Sequence, residues 1–425
     1  MCTVLIVATV LGGSPRTRGL ARYLPDLGWE PILLTPSAPP DLTRRFRTIE
    51  TPYPSPLASI RRLAGLSDGG SVREELKSRL GIASRRSLFD WLLTRAGAIV
   101  NYPDADRRWK RIALKKAGQF MEAAKPSAIL SSSAPVTSHL IGRELKRRYQ
   151  VPWVADLPDL WSDNNNYSYG AVRRLLDWRL ERRTLREADA LVTVSEPWRA
   201  RLAARYAGRQ VFCITNGFDP RFEGEADACR PTKFTITYTG MIYPRWQKPE
   251  RLFCALRDLI REGKIDPTRI DVRFYGTEQP WLDEEIAAAG LGEVVRQVGR
   301  VAYEEALARQ RESHVLLLLN WEDDRERGCY PLKTFEYLGA RRPVLAIGGS
   351  EEDVVTRILN ETKAGRSCAD AKAIKDYVYE LYEEYRNAGS VTYSGIEKEV
   401  CKYSYREMAG RFVEVLWRAM GLSAT

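Results

Sequence analysis

Short apolar, β-branched segments alternate with helical segments along most of this 425-residue chain, which limits its folds more than any other feature. Near the amino end, Thr3–Val10 is a continuous apolar run, typical of a strand buried on both faces of a parallel sheet. A turn at Gly12 and Gly13, a helical pattern over Arg18–Leu27 and a second apolar run at Pro31–Thr35 follow. This order predicts a βαβ unit and hence a doubly wound parallel sheet, whose ligands bind beyond the carboxyl ends of its strands.

The alternation continues through two domains. Further strands of the first domain are expected at Ala128–Ser131, Pro152–Asp156, Ala190–Val194 and Val211–Ile214. After a polar, turn-rich segment, a second series of strands is expected at Phe234–Thr239, Asp271–Tyr275, Val294–Val298, His314–Leu319 and Val344–Ile347. We assign residues 1–218 to an amino-terminal domain and residues 219–403 to a carboxyl-terminal one. A last amphipathic helix within residues 404–425 is expected to pack back on the first domain.

The chain is basic, with 66 Lys and Arg against 55 Asp and Glu, a formal net charge of +11. Nucleic-acid binding would explain this charge, but no zinc-finger, RNP-like or basic-zipper pattern surrounds the basic pairs. A solvated surface, or attraction to phosphates or anionic lipid headgroups, is the preferred explanation of the charge. We therefore expect no specific nucleic-acid partner.

Several other classes are excluded. The longest strictly aliphatic run, Val315–Leu319, is far shorter than the ~20 residues that span a bilayer. The first eleven residues are apolar but lack the positive n-region and small-residue cleavage site of a secretory signal. The 7 cysteines are scattered without C-x-x-C spacing, which favours a reducing cytosol over disulfides or a zinc site. With His139 and His314 as the only histidines, a His-rich metal centre is excluded.

Four segments together are typical of one enzyme family. Residues 328–345, GCYPLKTFEYLGARRPVL, resemble the donor-site loop and helix of GT-B glycosyltransferases, especially the retaining group numbered family 4. Residues 153–161, WVADLPDLW, resemble that group's D-x-R-D-x-W segment. Residues 181–196 and 215–219 resemble its E-x-x-x-L-x-x-A-D-x-V-x-x-V-S segment and its N-G-[FV]-D interdomain motif.

The resemblance implies an α/β GT-B fold, two Rossmann-like doubly wound domains facing a central cleft. It implies transfer of a sugar from a UDP- or GDP-sugar to a hydroxyl acceptor, with retention and without a metal ion or cofactor. Asp104-Ala105-Asp106 matches the metal-binding D-x-D pattern, but it follows Pro103 in a basic loop and is interpreted as coincidental. A nucleotide-sugar 2-epimerase of the same fold and a non-catalytic nucleotide-sugar-binding homologue remain alternatives.

By resemblance, Glu336 is expected to hold the ribose of the donor, because one carboxylate can accept hydrogen bonds from two vicinal hydroxyls. Relatives often carry an E-x7-E pair, whereas Gly328 stands eight residues before Glu336 in this chain. Backbone amides near Cys329, Tyr330 and Pro331 are expected to replace the missing glutamate.

The diphosphate of such a donor requires positive charge. Relatives carry a basic pair after the first strand of the second domain, but Met241 fills the arginine position here. Arg245 and Lys248 in the following loop, and Lys333 before Glu336, are the candidate replacements.

Backbone amides can assist these cations. Gly240 ends the first strand of the second domain, and Gly12 and Gly13 follow the first strand of the chain, so each lets a ligand approach the main chain. The helix that opens after Leu332 is expected to direct its positive dipole end towards phosphate.

Acceptor positioning is assigned to Asp156 and Asp159, which follow a predicted parallel strand. With Arg245 and Lys248, they form the candidate catalytic set. His139 and His314 are interpreted as structural, because one lies in a predicted helix and the other at a buried strand entry.

We expect a glycan or lipid-linked acceptor and a cytosolic location, with peripheral contact at the inner face of an anionic membrane. The basic amphipathic stretch Arg85–Arg95 contains Phe89 and Trp91 and has two interpretations. It either rests in a membrane interface or forms the core-facing side of helices in the first domain.

Overall fold

The computed structural model describes residues 1–9, 15–53, 102–164, 170–222, 231–244, 246–323 and 328–422. The predicted turn at Gly12 and Gly13, the stretch Arg85–Arg95 and the candidate ligand Arg245 lie outside the described residues. The chain divides into two compact units. The first comprises Met1–Val194, Trp198–Ile214 and Ala409–Thr425, and the second comprises Ser195–Pro197 and Thr215–Met408.

Each unit is built on one parallel sheet. In the first unit, the strands are β1 (Cys2–Val7), β2 (Trp29–Thr35), β3 (Arg47–Glu50), β4 (Ala128–Ser132), β5 (Trp153–Leu157), β6 (Ala190–Thr193) and β7 (Gln210–Cys213). In the second unit, they are β8 (Phe234–Thr239), β9 (Ile270–Tyr275), β10 (Val295–Gly299), β11 (Val315–Leu319), β12 (Val344–Ile347) and β13 (Gly365–Cys368).

The α-helices of the described residues lie between these strands or, in the case of the last three, after β13. They are α1 (Pro15–Tyr23), α2 (Pro40–Arg45), α3 (Trp109–Ala123), α4 (Thr137–Tyr149), α5 (Ala171–Leu185), α6 (Glu196–Arg205), α7 (Glu250–Arg261), α8 (Pro280–Ala288), α9 (Tyr303–Glu312), α10 (Lys333–Ala340), α11 (Val354–Thr362), α12 (Ala371–Ala388), α13 (Glu397–Cys401) and α14 (Tyr405–Ala419).

In each sheet, the first strand in sequence lies in the interior, and later strands are added on both sides of it. The first has the strand order β3-β2-β1-β4-β5-β6-β7 and the second β10-β9-β8-β11-β12-β13. Neighbouring strands pair in parallel throughout; for example, Val4 of β1 lies opposite Pro31 of β2 and Ala128 of β4. The predicted fold class, two doubly wound Rossmann-like domains, is therefore confirmed.

The apolar runs form strands because they bury both faces of these sheets. In β11, Val315, Leu317 and Leu319 pack into one hydrophobic cluster of the second unit. Leu316 and Leu318 pack into another. Alternate side chains of a strand point to opposite faces, so a strand covered by helices on both faces is apolar at every position.

Two details of the predicted elements are wrong. The helix predicted over Arg18–Leu27 is α1, Pro15–Tyr23, followed by a separate 3-10 turn at Pro25–Leu27. Pro25 has no backbone N–H to continue the helix. The edge strands β3 and β13 are missed, because their sequences, RTIE and GRSC, are short and polar rather than apolar.

None of the helices in the described ranges is both long and apolar enough to cross a membrane.

Candidate functional site

The second sheet reverses its winding direction between β8 and β11. β9 and β10 lie on one side of β8, and β11 lies on its other side with β12 and β13 beyond. In open parallel sheets, the connections on the two sides of such a reversal diverge and leave a crevice beyond the carboxyl ends of the strands. Gly240 follows the end of β8, and the loop after β11 leads into α10 at Lys333.

Gly240 allows unusually close backbone approaches at this point. Its φ is 109°, in the left-handed region, and its N–H donates to the Tyr275 carbonyl oxygen at 2.7 Å. A Cβ on Gly276 would lie only 2.3 Å from the Gly240 carbonyl oxygen, and a Cβ on Gly240 would lie 3.1 Å from Lys333 Nζ. The two glycines therefore bring the end of β8 against the lysine without an intervening side chain.

Lys333 directs its ammonium group at an aromatic ring. Its Nζ lies 3.7 Å from the centre of the Tyr238 ring, well within cation–π range. The Tyr238 hydroxyl donates to the Met241 carbonyl oxygen at 2.9 Å, which fixes the orientation of the ring. Burial lowers the pKa of Lys333 to about 7, while the Glu336 carboxylate raises it. An anionic ligand would favour the charged form of this desolvated amine.

Glu336, one turn further along α10, is oriented by two donors from α9. Gln310 Nε2 donates to Glu336 Oε2 at 3.1 Å, and the hydroxyl of Tyr303 donates a second hydrogen bond. The same Gln310 nitrogen donates to Thr239 Oγ1 at 2.9 Å. Burial raises the pKa of Glu336, and these hydrogen bonds together with the Lys333 charge lower it. The site thus presents a positioned carboxylate and an amine on one turn of one helix.

The entry to α10 contains the other residues predicted to bind a donor. Tyr330, Pro331 and Leu332 are all half-buried, and the Tyr330 ring packs edge-on against Phe335, with the ring centres 5.3 Å apart. The amide of Thr334 donates to the Pro331 carbonyl oxygen at 2.9 Å, so it is already bonded within the turn. The contact of this segment with a ligand stays a prediction.

Lys248 lies in the loop between β8 and α7. Its Nζ is 3.7 Å from Glu250 Oε1, and both side chains are more than one third exposed. An exposed pair of this kind contributes little to stability and can exchange for contact with a ligand. The role of Lys248 as a phosphate ligand stays a prediction.

The two candidate carboxylates, one within β5 and one just after it, lie in different environments of the first unit. Asp156 is 2% exposed and accepts hydrogen bonds from Arg16 Nη2 at 2.9 Å and from Ser132 Oγ at 2.8 Å. Arg16 also donates to the Ile214 carbonyl oxygen at 2.9 Å. This buried network gives Asp156 a structural part in joining α1 to β5, whereas Asp159 is exposed to solvent. Their assignment to acceptor positioning stays a prediction, and of the two only Asp159 is accessible.

Both histidines are structural, as predicted. His139 is fully buried in α4, with Nδ1 2.8 Å from Ser131 Oγ, and burial lowers its pKa to about 3. His314 accepts a hydrogen bond at Nδ1 from the Thr235 amide at 3.1 Å.

Asp104, in the D-x-D pattern, has a structural contact as well. Its two carboxylate oxygens accept hydrogen bonds of 2.7 Å from the hydroxyl and the amide of Thr137 at the start of α4. The carboxylate therefore caps the amino end of α4, and the interpretation of the D-x-D pattern as coincidental stays a prediction.

Four side chains that bond to the predicted site residues or contact them were not identified from the sequence: Tyr238, Tyr303, Gln310 and Arg16. Gln310 is 1% exposed but belongs to a strongly charged helix, YEEALARQRE, whose sequence is typical of a solvent-exposed helix. Its partners, Thr239 and Glu336, are distant in sequence, so no local spacing could have identified it.

Solved structures with the same architecture identify the fold. Sucrose-phosphate synthase from Thermosynechococcus elongatus superimposes with a TM-score of 0.62 at 13% identity, covering 99% of this chain and 100% of that one. A glycosyltransferase from Rickettsia africae has a TM-score of 0.61 at 14% identity, covering 99% and 98%. HepE from Anabaena, in complex with UDP, has a TM-score of 0.61 at 12% identity, covering 98% and 100%. The chain thus has the GT-B fold of glycosyltransferases.

A sequence profile of a known family matches the amino-terminal part of the chain. A family profile described as a glycosyl transferase 4-like domain matches residues 12–217. The chain therefore has the GT-B fold, and its amino-terminal part matches a glycosyl transferase 4-like domain. No curated protein matches the sequence significantly.

Proposed function

We propose that this protein is a glycosyltransferase that moves a sugar from a nucleoside-diphosphate sugar to a hydroxyl of a glycan or lipid-linked acceptor. The observation that carries the proposal is the pairing of Lys333 and Glu336 on one turn of α10, beside Gly240 at the winding reversal of the second sheet. An amine and a carboxylate at this spacing suit the two ends of a nucleoside diphosphate, its phosphates and its ribose diol.

Each group has a distinct part in donor binding. Glu336, held by Gln310 and Tyr303, accepts hydrogen bonds from the ribose hydroxyls. Lys333 and the dipole of α10 neutralise the diphosphate, and Lys248 and Arg245 add charge from the loop after β8. Departure of the diphosphate leaves negative charge beside Lys333, so this contact strengthens as the reaction proceeds.

The base of the donor is proposed to be uracil. HepE, which shares this fold, was solved with UDP and also with UDP-glucose. A guanine nucleotide is the alternative. Comparing UDP, UDP-glucose, GDP and GDP-mannose by isothermal titration calorimetry tests this choice, and absence of binding by all four contradicts the proposed function.

In the proposed reaction, the bond from the anomeric carbon to the phosphate oxygen breaks and a bond to the acceptor oxygen forms. The acceptor proton passes to the departing diphosphate, and Asp159 orients the acceptor hydroxyl. Retention of configuration and independence from a metal ion are part of the proposal, on the basis of the family resemblance. Proton NMR of the product gives the anomeric configuration, and activity in EDTA tests the metal requirement.

Slow hydrolysis of the bound donor, and transfer when an acceptor is supplied, support this function over its alternatives. Interconversion of donor epimers would identify a 2-epimerase, and nucleotide binding without either reaction would identify a non-catalytic homologue. Gly328 and Met241, which replace the glutamate and arginine of relatives, are the residues that favour the last alternative.

We also propose that the protein works in the cytosol at the inner face of a membrane. On α5 of the first unit, Val172, Leu175 and Leu176 are 77%, 47% and 44% exposed. Exposed arginines, including Arg174 and Arg183, flank them on the same helix. Apolar side chains bordered by cations suit the interface of a bilayer that contains anionic lipid, where a lipid-linked acceptor would be found.

A further inference from the structure

A second polar cavity opens beyond the carboxyl ends of β11, β12 and β13 in the second unit. It has a volume of about 330 Å³, at the low end of the ~300–1,000 Å³ of ligand sites, so it suits a small ligand such as a single sugar ring. Trp321, Arg251, Glu322 and Asp353 contribute to its lining. None of these residues belongs to the group formed by Gly240, Gln310, Lys333 and Glu336.

One wall of this cavity is aromatic. The Trp321 ring packs against that of Tyr243, with centres 5.2 Å apart and planes at 32°, and against that of Trp246 at 6.1 Å. The amide of Glu322 donates to the Trp246 carbonyl oxygen at 2.9 Å, which ties the two loops together. Because its neighbours hold the Trp321 ring, it can offer a flat face to a ligand at little cost in side-chain entropy.

A buried carboxylate faces the same space. Asp353 is 9% exposed and its Oδ1 accepts the Val355 amide at 2.8 Å, capping α11. Among the described residues, none donates a hydrogen bond to its Oδ2. A Cβ on Gly349 would lie 2.9 Å from that oxygen, so only glycine leaves it unobstructed. Because Asp353 lines the cavity, this unpartnered oxygen can accept a hydrogen bond from a ligand or solvent there.

The rim carries a neutralised ion pair. Arg251 Nη2 lies 3.0 Å from Glu322 Oε1, and Arg251 Nη1 donates to the Ala369 carbonyl oxygen at 3.1 Å. The pair offers donors and acceptors close together without a net charge. Such a rim favours a neutral ligand with several hydroxyls over a simple ion.

We propose that this cavity is a saccharide-binding subsite that takes one neutral hexopyranoside unit. The apolar face of the ring packs on Trp321, one hydroxyl donates to Asp353 Oδ2, and Arg251 with Glu322 binds hydroxyls at the rim. The subsite goes beyond the proposed donor site and does not require catalysis. The ligand of this subsite is one sugar ring of a glycan. The subsite lies in the second unit of the protein, which also contains the proposed donor site.

Saturation-transfer NMR on the full chain tests the proposal with methyl α-glucopyranoside, methyl α-galactopyranoside and methyl α-mannopyranoside as probes. At least one probe is expected to receive saturation from the wild-type protein. Trp321→Ala should abolish the transfer, and Trp321→Phe should keep part of it because a ring remains. Asp353→Asn retains an oxygen to cap α11 but changes the cavity-facing atom, so it should weaken binding about tenfold.

Saturating UDP separates this subsite from the donor site. Transfer to the same probe that persists with UDP, and in Glu336→Ala, supports the proposal. No transfer to any probe, transfer unchanged by Trp321→Ala, or displacement by UDP would overturn it. Failure of UDP itself to bind would contradict the proposed donor site instead, so the two ideas can fail separately.

Discussion

Gln310 Nε2 donates a hydrogen bond of 3.1 Å to Oε2 of Glu336, from a side chain that is only 1% exposed. Because the same nitrogen also contacts Thr239 Oγ1 at 2.9 Å, the glutamine connects the end of β8 to the carboxylate on α10. The orientation of Glu336 therefore depends on a residue from a third element, α9. A carboxylate held in this way loses little entropy when it binds a ligand.

Replacing Gln310 should therefore impair the donor site without touching the ligand. Gln310→Leu removes the amide at nearly constant volume and leaves Glu336 less well stabilised as a carboxylate. We expect about tenfold weaker UDP binding in calorimetry, since a hydrogen bond to a charged group is worth ~1.5–3 kcal/mol. Gln210→Leu, at an exposed position of the first unit, is the matched control. Equal affinities in the two variants would contradict this positioning role.

Glu336→Ala removes the proposed ribose contact itself. It should weaken UDP binding by about 2 kcal/mol, or roughly 30-fold, because a charge-assisted hydrogen bond is lost. Comparing the affinities for UDP, uracil and pyrophosphate shows which part of the ligand loses its contact. The affinity for pyrophosphate, which has no ribose, should change little. Glu304→Ala, which removes an exposed glutamate from α9, controls for net charge. An affinity like that of the wild type would remove Glu336 from the site.

Lys333 should make both stability and donor binding depend on pH. Its pKa falls from 10.5 to about 7 on folding, chiefly because the amine is desolvated. Between those values the unfolded chain binds more protons, so the stability of the free protein rises with pH from about 7 towards 10.5. A diphosphate favours the protonated amine, so UDP affinity should instead fall as the pH rises above 7. Lys333→Met should flatten both profiles in thermal unfolding and calorimetry; retention of the wild-type slopes would assign them to another group.

Much of this fold follows from local sequence, because its central strands are apolar at every position. β8 and β12 have the bounds predicted for them, Phe234–Thr239 and Val344–Ile347. The edge strand β3 bonds to only one neighbour, and its first and last residues, Arg47 and Glu50, are exposed. Charged residues are therefore tolerated there, and no apolar pattern marks the strand.

The site is predicted less completely than the fold, because some of its contacts join elements that are distant in sequence. Glu336 and Lys333 lie within one continuous motif, so a resemblance can identify them together. Gln310 and Tyr303 reach Glu336 only because α9 packs beside α10. Such contacts between elements depend on tertiary packing, which sequence spacing does not encode.

Replacing Asp156 or Asp159 by asparagine should have different effects on stability and on acceptor binding. Asp156→Asn leaves the buried Arg16 without its counter-ion and should lower the free energy of unfolding by about 3 kcal/mol or more. Asp159→Asn, at an exposed position, should leave stability nearly unchanged. If Asp159 orients the acceptor, its variant should raise the KM for the acceptor while the affinity for UDP stays constant. Denaturant unfolding and steady-state kinetics measure the two effects; a stable Asp156→Asn would show that the buried pair contributes little.

Membrane association should depend on the exposed leucines of α5 as well as on charge. Vesicles of phosphatidylcholine with phosphatidylglycerol are expected to sediment the protein at low salt, and binding should weaken as ionic strength rises and screens the arginines. Leu175→Ser with Leu176→Ser should reduce binding about tenfold at every salt concentration, since burial of the apolar side chains is lost. Ile396→Ser, which removes a side chain that is 45% exposed in the second unit, is the control. Absence of vesicle binding at low salt, or equal binding by both variants, would exclude α5 as the membrane contact.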